Sequence, residues 1–198
     1  MSIVVEHEKR RSEILERALK LFGEQGYEDV TFQKIADRCD ITRTTLYIYF
    51  RNKREIFVFS IKQMVAKIND QIEKIVNDSS LNAIDALEHI MDYVLDESIK
   101  NINFFKMLLP YLMRIQRNYG DSEKRVNRRT IRIRHFLSTV IINGQKKGEI
   151  KKVSVKELNN LLYSFMEDSI FRLAFYGSID VEEYRKYVAL SIEQFRQK

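Results

Sequence analysis

Tryptophan is absent from this chain, and cysteine and proline occur once each, at Cys39 and Pro110. A lone thiol closes no internal disulfide, and without a cysteine cluster there is no structural zinc site; the expected compartment is the cytoplasm. Six glycines and one proline in 198 residues are too few for a sandwich or barrel of many short strands, which needs frequent turn residues. No run approaches the roughly 18 uninterrupted apolar residues of a membrane span. The longest apolar passage, Phe104 to Ile115, is broken by Lys106, Pro110 and Arg114. The first residues, Met1 to Arg11, are charged and lack the apolar stretch of a signal peptide.

Catalytic signals are equally scarce. His7, His89 and His135 stand apart, and no serine or cysteine has a recognisable nucleophile partner. His89 lies near Asp85 and Glu88, but a di-iron bundle needs two Glu-x-x-His units and none is present. Glycine-rich phosphate loops are missing. The expectation is a protein that is not an enzyme and carries no metal and no cofactor.

What is present is a chain of 44% hydrophobic and 31% charged residues, enough to bury a core and stay soluble. The formal net charge is +6 and the isoelectric point about 9.3. Residues 1–60 are nearly balanced, with 11 basic and 10 acidic side chains, whereas residues 114–134 carry 8 basic and 2 acidic ones. Within the balanced part, Thr42 to Arg54 holds Arg43, Arg51, Lys53 and Arg54 with no acid before Glu55, so the local field is positive.

Apolar residues recur at helical spacing throughout. A first helix spans about Lys9 to Glu24, with Ile14, Ala18, Leu21 and Phe22 inward. Thr31 is placed to cap a second, which buries Phe32, Ile35 and Ala36. Cys39 and Asp40 break the pattern, and Thr42 opens a third short helix with Leu46 and Phe50 as core. Asn52 with Glu55 resembles a reciprocal capping pair and opens a fourth, running to about Asn77. Asp78, Ser79 and Ser80 form a polar joint. Beyond it come an amphipathic helix through Ile84, Leu87, Ile90 and Val94, a largely apolar one over Asn103 to Arg117 that Pro110 should kink or split, and three more over Asp121 to Lys147, Val155 to Tyr176 and Val181 to Arg196. The glycines lie at or near the ends of the helical stretches. The fold class is therefore all-α.

Thr31 to Lys53, TFQKIADRCDITRTTLYIYFRNK, is two short helices joined by a tight turn and followed at once by another. That is the helix-turn-helix arrangement, whose second helix lies in the DNA major groove. Arg43 offers a forked guanidinium for guanine or phosphate. Thr42, Thr44 and Thr45 bring short hydroxyls and methyls suited to phosphates and base edges. Tyr47 and Tyr49 can hydrogen-bond phosphates, and Lys53 adds charge at the start of the next helix. Cys39 reads as a small buried hydrophobe.

The segments LKLFGEQGYEDVT, TFQKIADRCDIT and TLYIYFRNKREIF resemble the DNA-binding domain of the TetR family of bacterial transcriptional repressors. The close match covers about Ile14 to Phe57, roughly a quarter of the chain, and GQKKGEI (Gly144 to Ile150) agrees with a turn that similar proteins show before their last two helices. By that resemblance Thr31, Thr42, Arg43, Thr44, Tyr47, Tyr49 and Lys53 stand where family members meet DNA. The chain departs from the pattern at Asp40, where glycine is frequent, and at Thr44, where glycine or alanine is. The resemblance implies an N-terminal DNA-binding domain over 1–55 and a C-terminal effector-binding and dimerisation domain over 56–198, linked by a helix over about 53–77.

It also implies a homodimeric repressor that binds a palindromic double-stranded DNA operator, has no membrane partner, and is released by a small, hydrophobic effector. Around the expected kink, Phe104, Phe105, Leu108, Tyr111 and Leu112, with Phe171 and Phe175 facing them, are candidate pocket residues. Leu158, Leu162, Phe165, Ser169 and Leu173, with Tyr184, Val188, Ile192 and Phe195, are candidates for the dimer interface, and a second stripe runs through Leu161, Met166, Ile170 and Ala174. Arg125, Arg128, Arg129 and Arg132 share one helix face; it reads either as a solvated surface or as an attractor for an anionic ligand or DNA. A DNA-binding protein governed by a partner protein, without any effector, is the alternative.

Overall fold

A computed structural model describes residues 2–108 and 122–197, with side chains described over 5–108 and 132–197. Among these residues the architecture is all helical. The helices are α1 (Ser2–Gln25), α2 (Phe32–Arg38), α3 (Arg43–Tyr49), α4 (Lys53–Val76), α5 (Ala83–Lys100), α6 (described over 102–108), α7 (Ser122–Lys147), α8 (Val155–Tyr176) and α9 (Val181–Glu193). An isolated antiparallel bridge joins Ile150 to Arg196. No helix among the described residues is long and apolar enough to cross a membrane. Pro110, Tyr111 and Leu112, and the side chains of Arg125, Arg128 and Arg129, lie outside the described residues.

The chain divides into two compact units. The first runs to Lys67 and takes in the segment from Asn103; the second comprises Ile68–Ile102 and the described remainder. The division falls inside α4, so the Asp78–Ser80 turn lies within the second unit rather than between domains. That turn is held locally, Asp78 accepting from the Ser80 hydroxyl and amide.

In the first unit, α1, α2 and α3 and the start of α4 enclose Ile14, Ala18, Phe22, Ile35, Leu46, Phe50 and Phe57, all essentially without solvent exposure. Phe104 of α6 joins this core, and Phe105 and Leu108 pack against it. Gly23 lies in the last turn of α1, where the Phe104 amide would stand 3.1 Å from any Cβ. The missing side chain lets the two backbones close up.

In the second unit, α5 packs against α7, α8 and α9, and α7 against α8. The core comprises Ile84, Leu87, Ile90, Leu137, Ile141, Leu162 and Ile192, with their neighbours along the same faces. Gly144 also lies within a helix, and a Cβ there would meet that of Ala83 at 2.5 Å. Here α7 crosses the first turn of α5, whose Ala83 amide donates to the Glu149 carboxylate at 2.7 Å.

The candidate dimer stripe needs correction. Leu158, Leu162, Phe165, Ser169 and Leu173 on α8, and Tyr184, Val188 and Ile192 on α9, are buried in the protomer's own core, and Phe195 packs against it. Both stripes of α8 are apolar, and α8 packs against α5 and α7 of the same chain. The large apolar side chains left exposed on these helices are Phe171, Phe175, Tyr176, Tyr187 and Leu190.

Candidate nucleic-acid interface

Two threonine caps set the geometry of the motif. The Thr31 hydroxyl accepts from the Lys34 amide at 3.1 Å and starts α2; that of Thr42 accepts from the Thr45 amide at 3.1 Å and starts α3. Such a cap satisfies a backbone donor that the helix leaves without a partner. Between the helices, the Cys39 amide donates back to Ile35 and Ala36, and Ile41 to Ala36. Asp40 occupies the left-handed region, with φ at 55°. Aspartate tolerates that conformation better than most residues.

The turn is braced from α1. A guanidinium nitrogen of Arg17 donates to the Arg38 carbonyl at 3.0 Å and to the Asp40 carboxylate at 2.7 Å. Arg10 donates to the Cys39 carbonyl at 3.2 Å, and Arg38 pairs with Glu24 at 2.6 Å. The hydrogen bond from Arg38, aided by its charge, holds the Glu24 carboxyl below its ordinary range. Cys39 itself is buried and unpaired, and burial pushes its thiol upward, away from the reactive thiolate.

The residues expected at DNA fall into two groups. Thr42, Arg43, Thr44 and Tyr47 are exposed along α3. Arg43 donates to the Tyr47 hydroxyl at 3.2 Å, and the Tyr47 ring packs on Phe32 at 4.6 Å, so the pair is set in place before any ligand arrives. Thr31, although exposed, spends a lone pair on its cap. Thr45 is half-buried and shares a hydrogen bond of 2.8 Å with the Thr42 hydroxyl. Tyr49 is half-buried and stacks on His7 at 4.6 Å. Lys53 donates to the carbonyls of Tyr27 and Glu28, at 2.8 and 3.1 Å. Its ammonium therefore ties the start of α4 to the turn after α1.

One exposed residue of this surface escaped the sequence reading. Ile48 projects from α3 with 69% of its surface accessible. The signal was the helical step: Ile48 lies one turn beyond Thr44 and almost opposite Leu46, the core residue of the same helix.

Residues 14–58 match the family described as bacterial regulatory proteins, tetR family. The N-terminal part of the chain carries the DNA-binding domain of the TetR family. IcaR of Staphylococcus aureus, the negative transcriptional regulator of the icaADBC biofilm operon, is 25% identical over 175 residues, which are 86% of this chain and 89% of IcaR. A TetR transcription regulator from Haloarcula marismortui superposes with a TM-score of 0.82 at 18% identity, covering 96% of this chain and all of that one. FadR of Bacillus subtilis, solved in complex with stearoyl-CoA, superposes with a TM-score of 0.72 at 17% identity, over 90% of this chain and 95% of that one. Like its TetR relatives, the chain is a DNA-binding transcriptional regulator with an N-terminal helix-turn-helix domain and a C-terminal helical domain.

The candidate effector residues are divided between the two units. Phe104, Phe105 and Leu108 belong to the first unit, whereas Phe171 and Phe175 are exposed on α8 of the second, stacked on each other at 5.4 Å. A groove of 220 Å³ between α5 and α9 is lined by Glu88, Asp92, Arg185 and Lys186 together with Val188 and Ala189. Arg185 bridges Asp92 at 3.3 Å and Asp96 at 2.5 Å there. Burial raises the Glu88 carboxyl, and the nearby Asp85 charge adds to it. Four of the six residues lining this groove are charged.

Proposed function

We propose that the protein is a cytoplasmic, homodimeric repressor, not an enzyme, that sets one α3 from each subunit into successive major grooves of a palindromic operator. The observation that carries this reading is the capped and braced α3, with Thr42, Arg43, Thr44 and Tyr47 exposed on a helix whose core side is fixed by Leu46. Thr31, Thr45, Tyr49 and Lys53 contribute at the edge of the same surface, through phosphates and by holding the motif's shape. Arg51 and Arg54, exposed beside them, add to the positive field. Repression is favoured by the likeness to IcaR, named as a negative regulator.

Dimerisation uses the exposed apolar face of α8 and α9, through Phe171, Phe175, Tyr187 and Leu190. A two-fold axis there apposes the same patch from both subunits. It also spaces the two α3 helices by one turn of DNA, about 34–36 Å, or a multiple of it.

Release follows when an apolar effector, taken up by the C-terminal part, binds the form that does not fit this spacing more tightly than the form that does. FadR of Bacillus subtilis holds stearoyl-CoA on a similar fold, which makes long-chain acyl compounds the first class to test. The experiment is selection of genomic fragments on the purified protein, followed by salt titration of the best fragment with and without acyl-CoA. A palindromic site with a steep salt slope, weakened by Tyr47→Ala and released by the acyl compound, supports the reading. Binding indifferent to sequence refutes it. A specific site that no acyl compound releases refutes the effector class alone.

A further inference from the structure

Successive residues of an α-helix step by about 100° around its axis, so positions two before and two after Leu46 lie about 160° from it on either side. Those positions are Thr44 and Ile48. They are the outermost residues of α3, separated by about 40° and one turn apart. Arg43 and Tyr47 lie beside them, held to each other and to Phe32. Ile48 shows no such engagement and exposes 69% of its surface.

A branched aliphatic side chain at this place does little for the free protein. It buries little, and β-branching lowers helix propensity slightly. Its neighbours along α3, Thr44, Thr45, Tyr47 and Tyr49, are polar or aromatic. In the DNA major groove the apolar group that distinguishes one base pair from another is the C5-methyl of thymine.

We propose that Ile48 is a specificity-determining residue that packs on a thymine C5-methyl in each half-site. The proposal rests on the operator-binding reading of α3 and adds to it the base that the centre of the helix selects. Arg43 and Tyr47 then position the helix, while Ile48 discriminates.

The test replaces thymidine by deoxyuridine, one position at a time, in the operator recovered by fragment selection. This removes a methyl group and leaves the base-pair hydrogen bonds in place. Wild-type affinity falls about fourfold at one thymine of each half-site, the scale of one buried methyl group. Ile48→Ala binds the thymine operator correspondingly more weakly and no longer distinguishes uracil from thymine there, and Ile48→Val retains part of the difference. Unchanged thermal unfolding of both variants confirms that the fold is intact. A wild-type protein indifferent to uracil at every position overturns the proposal. So does an Ile48→Ala protein that remains as sensitive as wild type, or that binds both operators as wild type does. A wild-type protein that selects no sequence at all overturns the operator reading together with this one.

Discussion

The ammonium of Lys53 lies 4.6 Å from the centroid of the Tyr27 ring and donates to the Tyr27 carbonyl at 2.8 Å. A residue that the sequence offers to DNA phosphate is therefore also a brace between the first turn of α4 and the end of α1. Tyr27 in turn meets Phe57 at 4.8 Å, so the brace reaches the core of the first unit.

Lys53→Ala is predicted to lower the unfolding free energy by about 1 kcal/mol without any DNA present, because charge-assisted hydrogen bonds to carbonyls are lost at a partly buried site. Arg43→Ala, on the exposed face of α3, is predicted to stay within about 0.5 kcal/mol of wild type. Both are predicted to weaken operator binding. Urea denaturation at fixed protein concentration separates the two. Equal stability of Lys53→Ala and wild type refutes the brace.

The α2–α3 turn allows a similar test. Asp40 bears a left-handed φ of 55° and an exposed ion pair with Arg17. A left-handed residue with a Cβ costs roughly 1–2 kcal/mol, while an exposed ion pair contributes about 0.2–1 kcal/mol. Asp40→Gly removes both and is predicted to be neutral to slightly stabilising. Asp40→Ala keeps the Cβ and loses the pair, so it is predicted to fall at least about 1 kcal/mol below Asp40→Gly. Equal stability of the two variants rules out the strain.

Local signals were the legible ones. Thr31 and Thr42 were identifiable as caps because a cap concerns residues three apart. Asn52 likewise accepts from the Glu55 amide at 2.9 Å, although the Glu55 carboxylate returns to the Arg51 amide rather than to that of Asn52. The first residues of α1 were missed because Glu6 to Arg11 lack an apolar stripe, yet the helix continues through them and His7 stacks on Tyr49. Gly23 and Gly144 do lie in the last turns of α1 and α7, but the close approach of Phe104 and Ala83 to them was not legible, because those residues are distant in sequence. The choice between two apolar stripes on α8 was beyond the sequence for the same reason, since it depends on where α5 and α7 lie.

That choice carries a prediction. Leu190 and Tyr187 are 73% and 57% exposed on α9, whereas Leu162 is fully buried. Leu190→Glu combined with Tyr187→Glu is predicted to yield folded monomers, seen by native mass spectrometry with unchanged helix content, because two charges enter a face that association desolvates. Leu162→Ala is predicted instead to cost about 2–5 kcal/mol of stability through the cavity it leaves. A dimer that survives the double substitution places the interface elsewhere.

The buried phenol of Tyr184 gives a prediction with a defined pH window. Its hydroxyl donates to the Phe165 carbonyl, and burial pushes the phenol up to about 12, with the Asp168 charge adding to the effect. In the unfolded chain the group titrates near its ordinary value of about 10. Below pH 10 it is protonated in both states, and its contribution to stability is fully present. As pH rises from about 10 toward about 12, the unfolded chain gives up the proton while the folded protein keeps it. The unfolded state then binds fewer protons, and stability falls. Tyr184→Phe removes both the hydrogen bond and this linkage. At pH 8 the variant is predicted to be less stable by about 1 kcal/mol, through loss of the hydrogen bond that the Tyr184 hydroxyl adds at the Phe165 carbonyl. Between about pH 10 and about 12 the gap is predicted to narrow, because wild type alone loses the contribution of Tyr184. Measuring both proteins across the window cancels the titration of the other tyrosines and of lysine. A gap that stays constant throughout refutes the raised phenol, and a gap absent at pH 8 refutes the hydrogen bond as a stabilising contact.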